Sequence, residues 1–237
     1  MNMVIVWKLL RVLSLAFPYL LKSARFNFHY FPFKQAIRFP VLFFSRSSVK
    51  FKGKCVLDVP EVKFGMITFG QNFHIRQANT GFLFFNQGTL IFKGQSHFGH
   101  SCSMNIGEKG TLEIGDNVLA TYGLSVNAFH HVQIKNGVRI GWNTVIMDTS
   151  FHTLKMLDGR KTKGYGPIYI GNNIWISSFC KVFQNTVLPD YCIVAAGSFV
   201  NKDYSQIPPY SMLAGSPLTV KKTGIYIDLD DDKIDYE

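Results

Sequence analysis

The sequence predicts an all-β chain wound into a triangular prism, a parallel β-helix, with an N-terminal helical and aromatic arm, one protruding loop and a short C-terminal segment. Three observations predict it. Stepping by six from Ile170 meets Ile176, Val182, Leu188, Val194 and Val200, all aliphatic. Four residues beyond the anchors stand Ile174, Cys180, Thr186, Cys192 and Ser198, small or apolar and never charged. Glycine followed by Asp or Asn marks the turns, as in Gly115-Asp116-Asn117 and Gly171-Asn172-Asn173. An α-helix would show a period of about 3.6. Here the chain turns a corner every six residues. One aliphatic side chain per side points inward, and three sides close a coil of about 18 residues. Glycine relieves the corner, and Asn tolerates the left-handed backbone found there.

The pattern recurs upstream as Ile114, Ala120 and Val126, and again as Ile134, Ile140 and Ile146; Phe92, Phe98 and Met104 form a weaker run. The triplets Leu90-Ile91-Phe92, Leu112-Glu113-Ile114, Val132-Gln133-Ile134 and Ile168-Tyr169-Ile170 read as equivalent, spaced by 22, 20 and 36 residues. The last gap is one coil plus about 18 extra residues, which must leave the prism as a loop over 148–167. Long loops on rigid scaffolds are where function concentrates. Coils before residue 90 are irregular.

Composition excludes several classes. Of 237 residues, 47% are hydrophobic and 17% charged, the reverse of a disordered chain. Cys55, Cys102, Cys180 and Cys192 form no CxxC pair, which excludes a zinc ribbon and a disulfide scaffold. With no N-x-S/T sequon, the expected setting is reducing and cytoplasmic. The net charge is +10, yet the stretch from Ile225 to Glu237 holds six acids and one base. The first 57 residues carry ten Lys/Arg and no acid, which points to an anionic partner.

Three regions are expected: a basic amphipathic arm over 1–50, the β-helix domain over 51–222, and an acidic tail over 223–237, read as mobile and given no role. Within the arm, residues 3–21 are apolar but broken by Lys8, Arg11 and Pro18. The longest nearly clean run, Val12 to Leu21, is half of the roughly 20 residues a spanning helix needs. Lys8, Arg11, Lys22 and Arg25 share one helical stripe. Two readings stand level: an interfacial helix giving peripheral membrane contact through residues 1–45 at the inner face of the plasma membrane, or an arm packed on its own domain or a neighbouring subunit. Interleaved bases and aromatics also occur in single-strand binders, but no such motif is present, so no nucleic-acid partner is expected.

The repeat, the D-x-x-x-H from Asp148 to His152 that opens the insert, and the ending AGSPLTVKK together resemble the hexapeptide-repeat acyltransferases, the left-handed parallel β-helix superfamily. The likeness covers about residues 88–222 and is greatest to the branch of maltose, galactoside, nodulation-factor and polysaccharide O-acetyltransferases. The left hand of the coil comes from this resemblance alone, since generic parallel crossovers are right-handed. The ending departs from the family pattern at Leu218-Thr219, and NTVLPD lacks the commoner glycine.

The resemblance implies a homotrimer that moves acetyl from acetyl-CoA to a sugar hydroxyl of a cell-surface polysaccharide or its lipid-linked precursor, without a metal. It makes His152 the general base. Imidazole titrates near neutrality, so it can take the hydroxyl proton and pass it to the thiolate. Asp148 would orient the imidazole or hold the acceptor. An oxyanion donor is expected within Trp175–Ser178. Trp175, Ser177, Gly197 and Ser198 would line the groove for the pantetheine arm, and Lys202, Lys221 and Lys222 are candidates for its phosphates. Each lysine reads equally as a solvated surface charge. Three rivals share the scaffold: a sugar-amine N-acetyltransferase, a non-catalytic β-helix binding protein, and a γ-class carbonic anhydrase. The last needs an H-x₄-H pair, and none exists among His29, His74, His97, His100, His130, His131 and His152.

Overall fold

The structure, a computed structural model, describes residues 17–71 and 78–231. Three sheets of nine, seven and six strands, parallel but for the last strand of the first, form the walls of a triangular β-helix. The chain visits the walls in strict rotation. One coil runs Val118–Tyr122 on the first wall, Ser125–Ala128 on the second and His131–Ile134 on the third. The repeat sets this register. Val132 and Ile134 pair with Ile168 and Ile170 across the 36-residue gap, and Leu112 pairs with Leu90 and Val132.

Ile170, Ile176, Val182, Leu188, Val194 and Val200 all point inward and are buried, and so are the corner residues Ile174, Cys180, Thr186, Cys192 and Ser198. Corner residues Asn117, Asn143, Asn173 and Asn185 take positive φ between 51° and 65°. Burying the aliphatic column drives the winding, at about 25 cal/mol per Å² of apolar surface removed from water. The four cysteines are buried free thiols, and burial pushes Cys102 up to about 12.

The prism begins earlier than residue 51. Val41–Phe43 pairs with Ile67–Phe69, and Ser47–Phe51 pairs with Phe82–Asn86, so both strands begin inside the stretch expected as arm. The reason is the core chemistry. Phe43, Phe69, Phe82, Phe84, Phe92 and Phe98 fill this end of the prism, and an aromatic column hides an aliphatic period. Helix α1 (Leu20–Tyr30) and the single turn α2 (Phe33–Ala36) close this end. Fully buried Phe26 drives α1 onto the prism, its ring 5.5 Å from that of Phe43 and 5.2 Å from that of Phe84.

At the other end, Ser211–Ala214 rejoins the first wall and Thr219–Thr223 folds back on it as an antiparallel strand. Residues 225–231 run back along the first wall: Ile225 N–H donates to Tyr210 O at 3.0 Å, the Tyr226 ring meets Tyr210 at 5.6 Å, and Leu229 reaches Gly137. The alternate apolar residues Ile225, Ile227 and Leu229 are half-buried and give the tail its grip. No described helix is long and apolar enough to cross a membrane.

Candidate functional site

Between Val145–Met147 and Ile168–Ile170 the chain leaves the prism. The exit is fastened by Asp148, which is wholly buried. Its Oδ1 accepts from Phe129 N–H at 2.8 Å and its Oδ2 from His130 N–H at 2.7 Å. Gly166 N–H returns to Asp148 O at 3.0 Å, so one residue holds both ends of the insert. Burial raises the Asp148 carboxyl above its ordinary value, against the opposing pull of those amides and of His130. The insert is an irregular hairpin. Thr149 bridges Tyr165, Lys155 bridges Lys161, and the tip is clasped by Asp158 and Arg160 at 2.7 Å.

His152 sits exposed on this hairpin, and its ring has no hydrogen-bond partner among the described residues. Both Asp148 oxygens face the 129–130 corner, so the expected Asp148–His152 contact does not form. Phe151, Leu154, Met156 and Leu157 are exposed on the same hairpin, the Phe151 ring meeting that of Phe129 at 4.7 Å.

A groove of about 560 Å³ lies on the first wall, at its corner with the second. Trp142, Trp175, Ser178 and Arg139 form its floor, and Tyr226, Asp228 and Asp231 of the folded-back tail form one side. Arg139 and Trp175 are neighbours because their strands pair in register. Arg139 also donates to Asn117 Oδ1 at 2.9 Å. The amides of Trp175 and Ser177 are engaged by the carbonyls of Cys192 and Val194. Within Trp175–Ser178, the Ser178 N–H has no acceptor among the described residues, while Ser178 Oγ accepts from Trp142 N–H at 3.0 Å.

The remaining expected donor-site residues do not gather in this groove. Gly197 stands at the same corner one coil on, with φ +71° and open space beside it, its N–H donating to Ser178 O at 3.0 Å. Ser198 is buried instead of lining a channel. Its Oγ donates to Ala195 O at 2.6 Å and accepts from Gly215 N–H at 3.1 Å, tying the last coil to the AGSP turn. Ser177 contributes backbone only, its carbonyl accepting from Thr144 Oγ1 at 3.2 Å. Lys202 is exposed after the last coil, and Lys221 and Lys222 lie on the exposed returning strand. Arg139, Trp142, Tyr226, Asp228 and Asp231 were not anticipated. Register arithmetic across the insert could have found Arg139, since 36 residues before Trp175 is its wall neighbour.

The other histidines serve the coil surface. His97 Nδ1 lies 2.9 Å from Thr68 Oγ1, and burial first, then Arg139, lowers its pKa. His131 faces Glu113 at 3.7 Å, and the His130 ring packs 4.9 Å from Tyr165 of the insert. His74 lies outside the described residues. Among the described residues no three His, Cys, Asp or Glu gather as a metal site.

The hexapeptide period and the prism it builds define the class by its fold: a parallel β-helix of three walls, the fold that goes with a hexapeptide repeat. Among individual proteins it is similar to the galactoside O-acetyltransferase of Escherichia coli (strain K12), 29% identical over 142 residues that make up 58% of this chain and 56% of that protein. The galactoside O-acetyltransferase of Lactococcus lactis is 27% identical over 57% of this chain and 67% of its own. The match thus spans little more than half of the first relative. No family model matches the chain. A crystal structure of the polySia-specific acetyltransferase NeuO covers 81% of this chain and 91% of its own, at 16% identity and TM-score 0.44. A galactoside acetyltransferase in complex with coenzyme A covers 58% of this chain and 70% of its own, at 25% identity and TM-score 0.40.

Proposed function

We propose that the protein is an acetyl-CoA-dependent O-acetyltransferase acting on a sugar hydroxyl of a cell-surface polysaccharide or its lipid-linked precursor. The observation that carries this reading is the anchored hairpin, which holds an exposed imidazole clear of the prism. The sequence likeness to two galactoside O-acetyltransferases supports the chemistry.

In the reaction a His152 ring nitrogen takes the sugar hydroxyl proton as the oxygen attacks the thioester carbonyl. The carbonyl oxygen becomes an oxyanion, and the unengaged Ser178 amide is the donor suited to meet it. The C–S bond then breaks, the proton passes from His152 to the thiolate, and an acetyl ester and CoA leave. Asp148 acts as the hairpin's anchor, a positioning residue. The pantetheine arm runs along the corner of Trp175, Ser178 and Gly197, and Lys202, Lys221 and Lys222 take the phosphates.

His152 needs a partner surface to complete a site, and the exposed Phe151, Leu154, Met156 and Leu157 need a cover. A homotrimer, in which the hairpin of one prism meets the corner of the next, supplies both.

The test is incubation with labelled acetyl-CoA and a panel of glycans, with products read by mass spectrometry. The expected product is an alkali-labile acetyl ester, formed about 10² to 10⁴ times more slowly by His152→Ala. An alkali-stable amide would mean N-acetylation. Transfer unchanged in His152→Ala would remove the base, and no transfer to any glycan would favour a binding protein.

A further inference from the structure

Helix α1 is committed on one face and apolar on the other. Its inner face carries buried Ser23, Phe26 and Asn27. Its outer face exposes Leu20, Leu21 and Phe28, preceded by exposed Phe17, and α2 and the residue after it add Phe33 and Ile37. Leu21 is 88% exposed and Phe33 68%. Phe28 links the two helices, its ring 6.1 Å from those of both Phe33 and Phe39, and Leu21 lies two turns before it on the same helix face. A contiguous apolar patch of this kind marks an interaction surface.

Charge selects the partner. Lys22, Arg25, Lys34 and Arg38 belong to the same helical segment, and the sequence holds no acid before Asp58. Arg25 lies over the Phe51 ring at 4.8 Å and Arg38 donates to Val62 O at 3.3 Å, so both cations are held in place beside the helices. A second copy presenting the same face would set these bases against each other with no acid to offset them. An anionic lipid surface meets both features. Aromatic and aliphatic side chains enter the boundary between headgroups and acyl chains, while the bases remain among lipid phosphates.

We propose that the α1–α2 end of the prism is a membrane-interface surface that binds anionic lipid, with Leu21, Phe28 and Phe33 inserted and Lys34 and Arg38 on the headgroups. This surface lies apart from the acetyl-transfer reading, and its test needs no acyl transfer.

The full chain is sedimented with vesicles of phosphatidylcholine alone and with phosphatidylglycerol added. Binding is expected to be at least about tenfold tighter to the anionic vesicles and to weaken with salt. Leu21→Ser/Phe33→Ser alters only exposed side chains, so its thermal midpoint should match the parent while most binding is lost. Lys34→Glu should weaken binding and flatten its salt dependence. A chain lacking residues 1–16 should keep part of the binding. Equal binding to both vesicle types would overturn the proposal. So would parent-like binding by Leu21→Ser/Phe33→Ser, or self-association that this variant abolishes without any vesicle binding.

Discussion

Asn27 pairs with the backbone of Val41 in both directions: its Nδ2 donates to Val41 O at 2.8 Å, and its Oδ1 accepts from Val41 N–H at 3.1 Å. One turn earlier, Ser23 Oγ accepts from Phe43 N–H at 3.0 Å. Val41–Phe43 is the end strand of the first wall, and two helix side chains stand where another strand would pair. An open edge would offer unpaired backbone groups to other chains.

Asn27→Ala leaves a buried N–H and a buried carbonyl without partners. Each omission costs about 1–3 kcal/mol, so the variant should lose on the order of 3 kcal/mol, read as a lower urea midpoint. Aggregation on partial unfolding should also rise, because the edge is bared.

Asp148→Asn tests the anchor of the hairpin. An amide has one acceptor oxygen and would point its NH₂ at a backbone donor. The expected result is a global loss of about 1–3 kcal/mol and faster amide exchange across 149–166. Unchanged exchange there would mean the hairpin holds itself.

Glu113 gives a pH dependence. It accepts from Lys93 Nζ at 2.5 Å and from Gln133 Nε2 at 3.4 Å, and the Lys93 bond is the main cause holding its carboxyl below the ordinary value. A depressed folded-state value stabilises above the unfolded value and is lost as pH falls through the folded one. Urea midpoints should therefore fall with acid from about pH 5 downward, and less steeply in Glu113→Gln. Lys93 is well exposed, so the pair contributes at most about 1 kcal/mol.

Gly99 is fixed by close approach: a Cβ there would stand 1.8 Å from Thr121 O on the next coil. Gly99→Ala should cost about 1–3 kcal/mol by forcing two wall strands apart, measured as a lower thermal midpoint.

Deleting residues 225–237 should uncover Trp142 and Trp175 by removing one side of the groove. A red-shifted tryptophan emission with an unchanged far-UV spectrum is the expected result. No shift would mean the tail does not rest on the first wall in solution.

Much of this architecture could be read from the residues in order. The six-residue aliphatic period marked the core of the last coils, the positive-φ corners and the exit of the insert at Asp148. The first coils were not legible, because Phe43, Phe69, Phe84 and Phe98 fill the same inward positions with rings. Their partner, Phe26, lies on a helix whose sequence reads equally as a membrane element.

What the sequence determined by itself is the winding, because an inward position recurs locally and needs no knowledge of distant contacts. What only the tertiary structure decided is which side chains meet across coils and ends. Asp148 turned from the imidazole to two backbone amides, Ser198 turned inward, and the acidic tail came to rest beside Arg139, Trp142 and Trp175. Those outcomes depend on contacts between residues far apart in the chain, where burial and hydrogen bonding select among partners that local pattern leaves equivalent.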